Sequence, residues 1–299
     1  MGPMFETLPG NRLHMQHGPI DLIVQAEGDP IAVQAAHEEA QRLFKEVLPT
    51  LVTELVLLRQ PVDPSRPNPM IGPVAKRMWL ACRPFAHRDF ITPMAAVAGS
   101  VAQHILAPYQ RSGIDRAWVN NGGDIALHLT ANTRLRLGLF SDLTSVLPVI
   151  MQARLPALDA MATIVADTGI GGVATSGWAG RSHSLGIADS VTVFAESSAL
   201  ADAGATMIAN AVDVEDELIV RRPANLLSDD TDLGDHLVTV GVPRLAPEKV
   251  AVALARGKAV AQNYVDAGIL QSVVLVCQSQ VVSVSQIVQS MGEEALCQA

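Results

Sequence analysis

The stretch from Gly171 to Asn210, GGVATSGWAGRSHSLGIADSVTVFAESSALADAGATMIAN, constrains this chain more than any other part of it. It divides into three pieces. Gly171 to Gly186 carries five glycines, three serines, one threonine and one histidine, which reads as a loop whose backbone can come close to a ligand. Ser190 to Ala195 (SVTVFA) is β-branched and aromatic between small polar residues, the pattern of a strand. Ser197 to Ala211 is small and apolar and opens with two serines able to cap it, so a helix is predicted there. Asp202 and Thr206 are four apart and therefore share one face of that helix. A carboxylate among alanines needs a charge partner or a metal ion. The structural alternative is a carboxylate near the helix start, favoured by the macrodipole, with Thr206 bonding back to the carbonyl of Asp202. Spacing alone leaves both readings open.

The chain has 299 residues, 49% hydrophobic and 17% charged, which suits one large folded unit over 1–299 with no clear internal boundary. A formal net charge of −9 leaves no basic excess for binding a phosphate backbone, so nucleic acid is not expected as a partner. Cys82, Cys277 and Cys297 show no CxxC spacing and read as buried thiols in a reducing compartment. No signal peptide and no apolar run long enough for a bilayer is seen, so the expectation is a cytoplasmic protein without membrane contact.

Along the chain, Pro19 to Gln25 predicts a strand. Apolar spacing from Ile31 predicts a helix to about Leu48, resuming to Leu58 past Pro49. Val74 to Cys82 and Pro93 to Tyr109 read as helices. The small residues MAAVAG in the second imply that something packs very close to it. Arg116 to Leu129 reads as a hairpin turning at Asn121-Gly122. Strands are expected at Leu135 to Phe140, Val146 to Leu155, Met161 to Asp167 and Leu237 to Val242. A helix is expected from Pro247 to Ala267, ended by Gly268, and then a hairpin about Gln278. Helices and strands do not alternate strictly, which points to α+β with a largely antiparallel sheet and packed helices.

Two glycine-rich segments are candidate ligand contacts. Asn120-Asn121-Gly122-Gly123-Asp124 is either a plain hairpin turn or a place where bare amides and asparagine side chains meet a phosphate or a flavin edge. Gly172-Val173-Ala174-Thr175-Ser176-Gly177 offers hydroxyl donors between glycines and is the better anion candidate, with a glycine-rich active-site lid or a plain loop as its alternative. Neither segment is GxGxxG, and no Walker lysine follows either. His183 stands between the candidate anion loop and the candidate metal helix, although a lone loop histidine is usually a surface group.

Taken in order, MAAVAG, NNGGD, GGVATSG, a histidine, SVTVFA and ADAGAT resemble the ApbE family, the FAD:protein FMN transferases, over roughly 93–211. PMAAVAG, SHSLG-ADSVTV and ADAxATxIAN are most similar to its UPF0280 branch. The resemblance implies a T-fold-related α+β architecture that binds FAD with Mg²⁺ beside the pyrophosphate and passes FMN to a Thr or Ser of an acceptor protein. It implies Asp202, Thr206 and a main-chain carbonyl near Ala98 as metal ligands. Thr175 and Ser176 would meet the pyrophosphate, and His183 would act near the acceptor hydroxyl. Two departures stand out. Ala98-Gly99 replaces the family's lysine-glycine pair, and Ser184 to Ala188 lacks the aspartate-proline of HxxDPxTG. The expectation is therefore an ApbE-like protein binding FAD or a related pyrophosphate ligand with Mg²⁺. Its alternative is a flavin- or nucleotide-binding protein that has lost transfer, and a homodimer is left open in either case.

Overall fold

The computed structural model describes residues 2–139, 160–180 and 182–285. The strand expected at Val146 to Leu155 and Cys297 lie outside them.

Nine strands form one antiparallel sheet. From one edge to the other they are β1 (Met4–Leu8), β2 (Arg12–His17), β3 (Ile20–Gly28), β4 (Ile114–Asn121), β5 (Asp124–Leu129), β8 (Gly172–Ser176), β9 (Ser190–Ala195), β12 (Ser272–Cys277) and β13 (Gln280–Ser285). Alternation sets its two faces. In β5, Ala126 faces the helices while Leu127 faces away; in β8, Ala174 and Val173 divide in the same way. The helical face carries α1 (Pro30–Thr53), α2 (Leu55–Leu58), α3 (Pro73–Cys82), α4 (Val97–Leu106), α5 (Ser198–Ala211) and α6 (Pro247–Asp266). A short ribbon of β6 (Arg134–Leu139) and β7 (Ala160–Val165) covers part of the other face, where Leu135 and Ile164 pack with Leu127, Val173 and Phe194. A second ribbon, β10 (Val220–Pro223) with β11 (Leu237–Gly241), stands apart from the main sheet. The expected α+β class with a large antiparallel sheet is what the chain adopts. Among the described residues no helix is long and apolar enough to cross a membrane. Cys82 and Cys277 are buried free thiols, as expected.

Two local expectations are corrected, and one hairpin was not anticipated. The first two strands form a hairpin that turning signals alone did not reveal; Gly10 and Asn11, both at positive φ, make its bend. The turn between β4 and β5 falls on Gly122-Gly123, at φ 65 and 116, and not on Asn121-Gly122. The segment Gly172–Ser176 is a strand and not a loop. Its register pairs it with β5 on one side and β9 on the other.

The glycine of that strand, Gly172, serves packing. A Cβ on Gly172 would lie 2.0 Å from the amide nitrogen of Ser198, at the start of α5. From the opposite side, a Cβ on Gly99 in α4 would lie 2.2 Å from the carbonyl oxygen of Ser198. Ser198 is clasped between them, and its Oγ donates to the Gly99 carbonyl at 2.7 Å. This close approach is the tight packing that MAAVAG implied. Because the clash is with backbone on both sides, Gly99→Ala is expected to cost about 3 kcal/mol through overpacking, read as a lower urea midpoint with an unchanged slope. A midpoint equal to that of the natural sequence would contradict the close crossing.

Candidate functional site

Clasping Ser198 fixes where α5 begins, and with it where Asp202 points one turn later. Ser197 caps the helix by accepting from the Leu200 amide at 3.3 Å. Asp202 Oδ2 accepts from the Gly99 amide at 2.9 Å, and the carboxylate also accepts from the Ala98 amide. Both amides belong to the first turn of α4, whose N-cap residue Ala96 has no side chain able to bond them. Asp202 thus caps α4 from a distant part of the chain.

Asp124 opens β5 immediately after the glycine turn, and its Oδ1 accepts from the Thr175 amide at 3.3 Å. Protein encloses Asp124 and Asp202 except where each meets a shared cavity. Burial raises the Asp124 carboxyl to about 7. Burial, and then the neighbouring charge of Asp124, raises Asp202 well above the usual carboxylate range, against the pull of the two amides.

The cavity they share has a volume of about 320 Å³, at the small end for a ligand site. Its walls place Asp124, Asp202, Thr206, Ala98 and His183 together. Apolar walls come from Phe90, Ile91, Met94 and Leu233. No lysine or arginine lines it among the described residues. His183 is half-buried and makes no hydrogen bond to another described residue. Its neighbours are anchored: Asn210 Oδ1 accepts from Ser184 Oγ at 3.1 Å and from the Leu185 amide at 2.9 Å, tying the segment to the end of α5.

Other residues singled out in the sequence do not reach the cavity. Asn120 Oδ1 accepts from the Gly123 amide at 2.9 Å, closing the hairpin. Asn121 Nδ2 donates to the Ala98 carbonyl at 3.1 Å, so that oxygen already has one partner. Gly122 and Gly123 sit at the exposed turn. Thr175 Oγ1 bonds Thr192 Oγ1 at 2.9 Å inside the sheet. Gly172, Val173, Ala174 and Ser176 lie in β8, and a Cβ on Gly177 would meet the Asp189 carbonyl at 2.2 Å. Sequence reasoning missed Thr92, Asn210 and Asp232, all on the cavity wall. For Asn210 a signal existed, the end of the ADAxATxIAN segment; for Asp232 there was only a polar loop.

Among the described residues no three His, Cys, Asp or Glu side chains gather as a metal cluster. Asp124 and Asp202 with the Thr206 hydroxyl are hard oxygen donors, too few to enclose a cation. This set suits Mg²⁺, which retains waters and shares its shell with substrate phosphate. It does not suit zinc, which wants nitrogen and sulfur.

The fold and this cavity define an α+β protein in which two crossing helices and one sheet end frame an acidic, oxygen-lined hollow. The chain belongs to the family described as AbpE bacteria, whose sequence model matches residues 5–285, and it is an ApbE-like UPF0280 protein. A UPF0280 protein of Methanothermobacter thermautotrophicus is 34% identical over 185 residues, 58% of this chain and 66% of the relative. One from Methanothrix thermoacetophila is 38% identical over 141 residues, 47% of this chain and 52% of the relative. One from Methanosarcina barkeri is 30% identical over 203 residues, 67% and 72% of the two chains. The chain thus spans between half and two thirds of the first two relatives. Among solved structures, the apo form of Pseudomonas stutzeri flavinyl transferase ApbE superposes with a TM-score of 0.42 at 12% identity, covering 95% of this chain and 93% of that one. Flavin transferase ApbE from Vibrio cholerae superposes at 0.40 and 15%, covering 95% and 97%. Superpositions this loose transfer no residue roles.

Proposed function

We propose that the protein binds FAD, or a related nucleotide with a pyrophosphate, together with Mg²⁺ in this cavity, and transfers the FMN half to a Thr or Ser hydroxyl of an acceptor protein. One observation carries the reading. Asp124 and Asp202 repel each other on a wall that holds no lysine or arginine among the described residues, and Thr206 stands beside them. A divalent cation relieves that repulsion and draws phosphate to a surface that otherwise rejects it. Asp202 and Thr206 would hold the ion, with Asp124 and a main-chain oxygen near Ala98 beside it. When bound, Mg²⁺ supplies neutralisation of the charge that develops as a pyrophosphate is cleaved. His183 is free to take the proton of the acceptor hydroxyl while that oxygen bonds the FMN phosphorus and AMP departs. Of the ligand contacts expected from Asn120 to Asp124 and from Gly172 to Gly177, the proposal keeps one, because the others do not reach the cavity. Asp124 is the one of these on the wall, so the phosphates are placed against the carboxylate pair and not along β8.

Incubation with FAD, Mg²⁺ and an acceptor carrying DxxTGAT should leave flavin fluorescence on the denatured acceptor. Chelation should abolish it, and His183→Ala should slow it by roughly 10²–10⁴-fold. A second reading is a binding protein without transfer. Ala98-Gly99, in place of the transferases' lysine-glycine pair, favours it. Ligand binding with no labelled acceptor, unchanged by His183→Ala, would establish that reading instead.

A further inference from the structure

Three carboxylates face the cavity, and the function proposed above uses two. The third, Asp232, comes from the connection between β10 and β11 and reaches Thr92, the residue that caps the turn leading into α4. The Thr92 hydroxyl accepts from the Met94 amide at 3.3 Å and spends its one proton on Asp232 Oδ2. The same connection is held twice more: Arg59 Nη2 meets Asp230 Oδ1 at 3.1 Å, and the His236 ring lies against Phe90 with centroids 4.4 Å apart. Asp232 accepts no other hydrogen bond from a described residue, so a fixed carboxylate with acceptor capacity to spare stands on the wall. A phosphate cannot rest against it without repulsion, and no described lysine or arginine mediates. What meets Asp232 must donate a hydrogen bond or be the cation itself, and the probes below separate the two. Ser228 and Thr231 on the same wall add hydroxyls that can give or take a proton.

We propose that Asp232, oriented by Thr92, is the specificity residue of the cavity, accepting hydrogen bonds from the vicinal hydroxyls of a sugar or sugar alcohol attached to the metal-bound phosphate. Carboxylates bind ribose hydroxyls in this way in dinucleotide sites. The inference rests on the proposed Mg²⁺–phosphate reading and adds to it the residue that tells a hydroxyl-bearing phosphate from bare diphosphate.

The test is calorimetric, on the full chain with saturating Mg²⁺. The probes are ADP, which presents ribose, FMN, which presents ribitol, 2′,3′-dideoxy-ADP, and pyrophosphate. In Asp232→Asn the amide oxygen can keep the Thr92 proton, which turns the NH₂, a donor in place of an acceptor, to the wall without releasing the segment. The variant should lose roughly 10- to 100-fold in affinity for ADP, FMN or both, and bind pyrophosphate unchanged. Which of the two falls identifies the ribose or the ribityl chain. If ADP is the one, dideoxy-ADP should bind the natural sequence as weakly as ADP binds the variant. Equal losses for pyrophosphate and the hydroxyl-bearing probes would make Asp232 a holder of the cation, and no loss for any would leave it a structural tie; either overturns the assignment alone. If the natural sequence binds none of the four probes, the Mg²⁺–phosphate reading falls and the assignment with it.

Discussion

Asp202→Asn is expected to weaken Mg²⁺-dependent ADP binding by roughly 100-fold or more, through loss of a charged metal ligand, while the free protein melts no lower than before. The two halves of this result separate the two jobs of one side chain. The asparagine carbonyl can still accept from the Gly99 amide, so the cap on α4 survives. Its neutrality removes the repulsion with Asp124, which favours the free fold. Asp202→Ala should behave differently. It strands two enclosed amides, at about 1–3 kcal/mol each, and should lower the melting temperature as well as abolish binding. Isothermal titration with thermal unfolding of both variants decides the matter. If Asp202→Asn binds ADP with Mg²⁺ as tightly as the natural sequence, the carboxylate is a helix cap and nothing more.

That double role explains why the helix could be read from sequence and its purpose only in part. Ser197 to Ala211 announced itself by capping and small residues, and the spacing of Asp202 and Thr206 placed both on one face. Spacing could not tell a metal ligand from a cap, because the amides being capped belong to α4, 103 residues away along the chain. The strand Gly172–Ser176 was misread for a related reason. Glycine and serine are turn-formers when only neighbours are considered, but here each glycine makes room for another backbone: Gly172 for Ser198, Gly177 for Asp189. Long-range close packing overrode local propensity. The β4–β5 hairpin, α6 and the final hairpin about Gln278 were legible because their signals are local. Asp232 was not, since nothing within a polar loop marks the one carboxylate that will be drawn to Thr92.

The stabilising effect of Asp124→Asn on the free protein is expected to grow with pH, from near zero at pH 4 to about 2–4 kcal/mol at pH 8. The sign follows from proton counting. Burial raises the native Asp124 carboxyl from 3.8 to about 7, so between those values the folded state holds a proton that the unfolded chain has released. Stability contributed by that proton is complete below about pH 4, declines as pH rises through this window, and is gone above it. The full span of the shift corresponds to about 4 kcal/mol, and the open side of the carboxyl toward the cavity reduces it toward the lower figure. Asparagine carries no such titration and can keep the bond from the Thr175 amide. The comparison must be between variant and natural sequence at each pH. His37, His104 and His128, all lowered by burial, destabilise the fold on the acid side and would mask the effect in the natural protein alone, whereas they cancel in the difference. Mg²⁺ with ADP should shrink the difference at pH 8, because a bound cation stabilises the charged pair in the natural sequence and loses a partner in the variant. Urea unfolding from pH 4 to pH 8, with and without that pair, measures both effects. A difference that stays flat across the range would mean that Asp124 ionises as freely folded as unfolded, and the crowded carboxylates on which the metal reading depends would not exist.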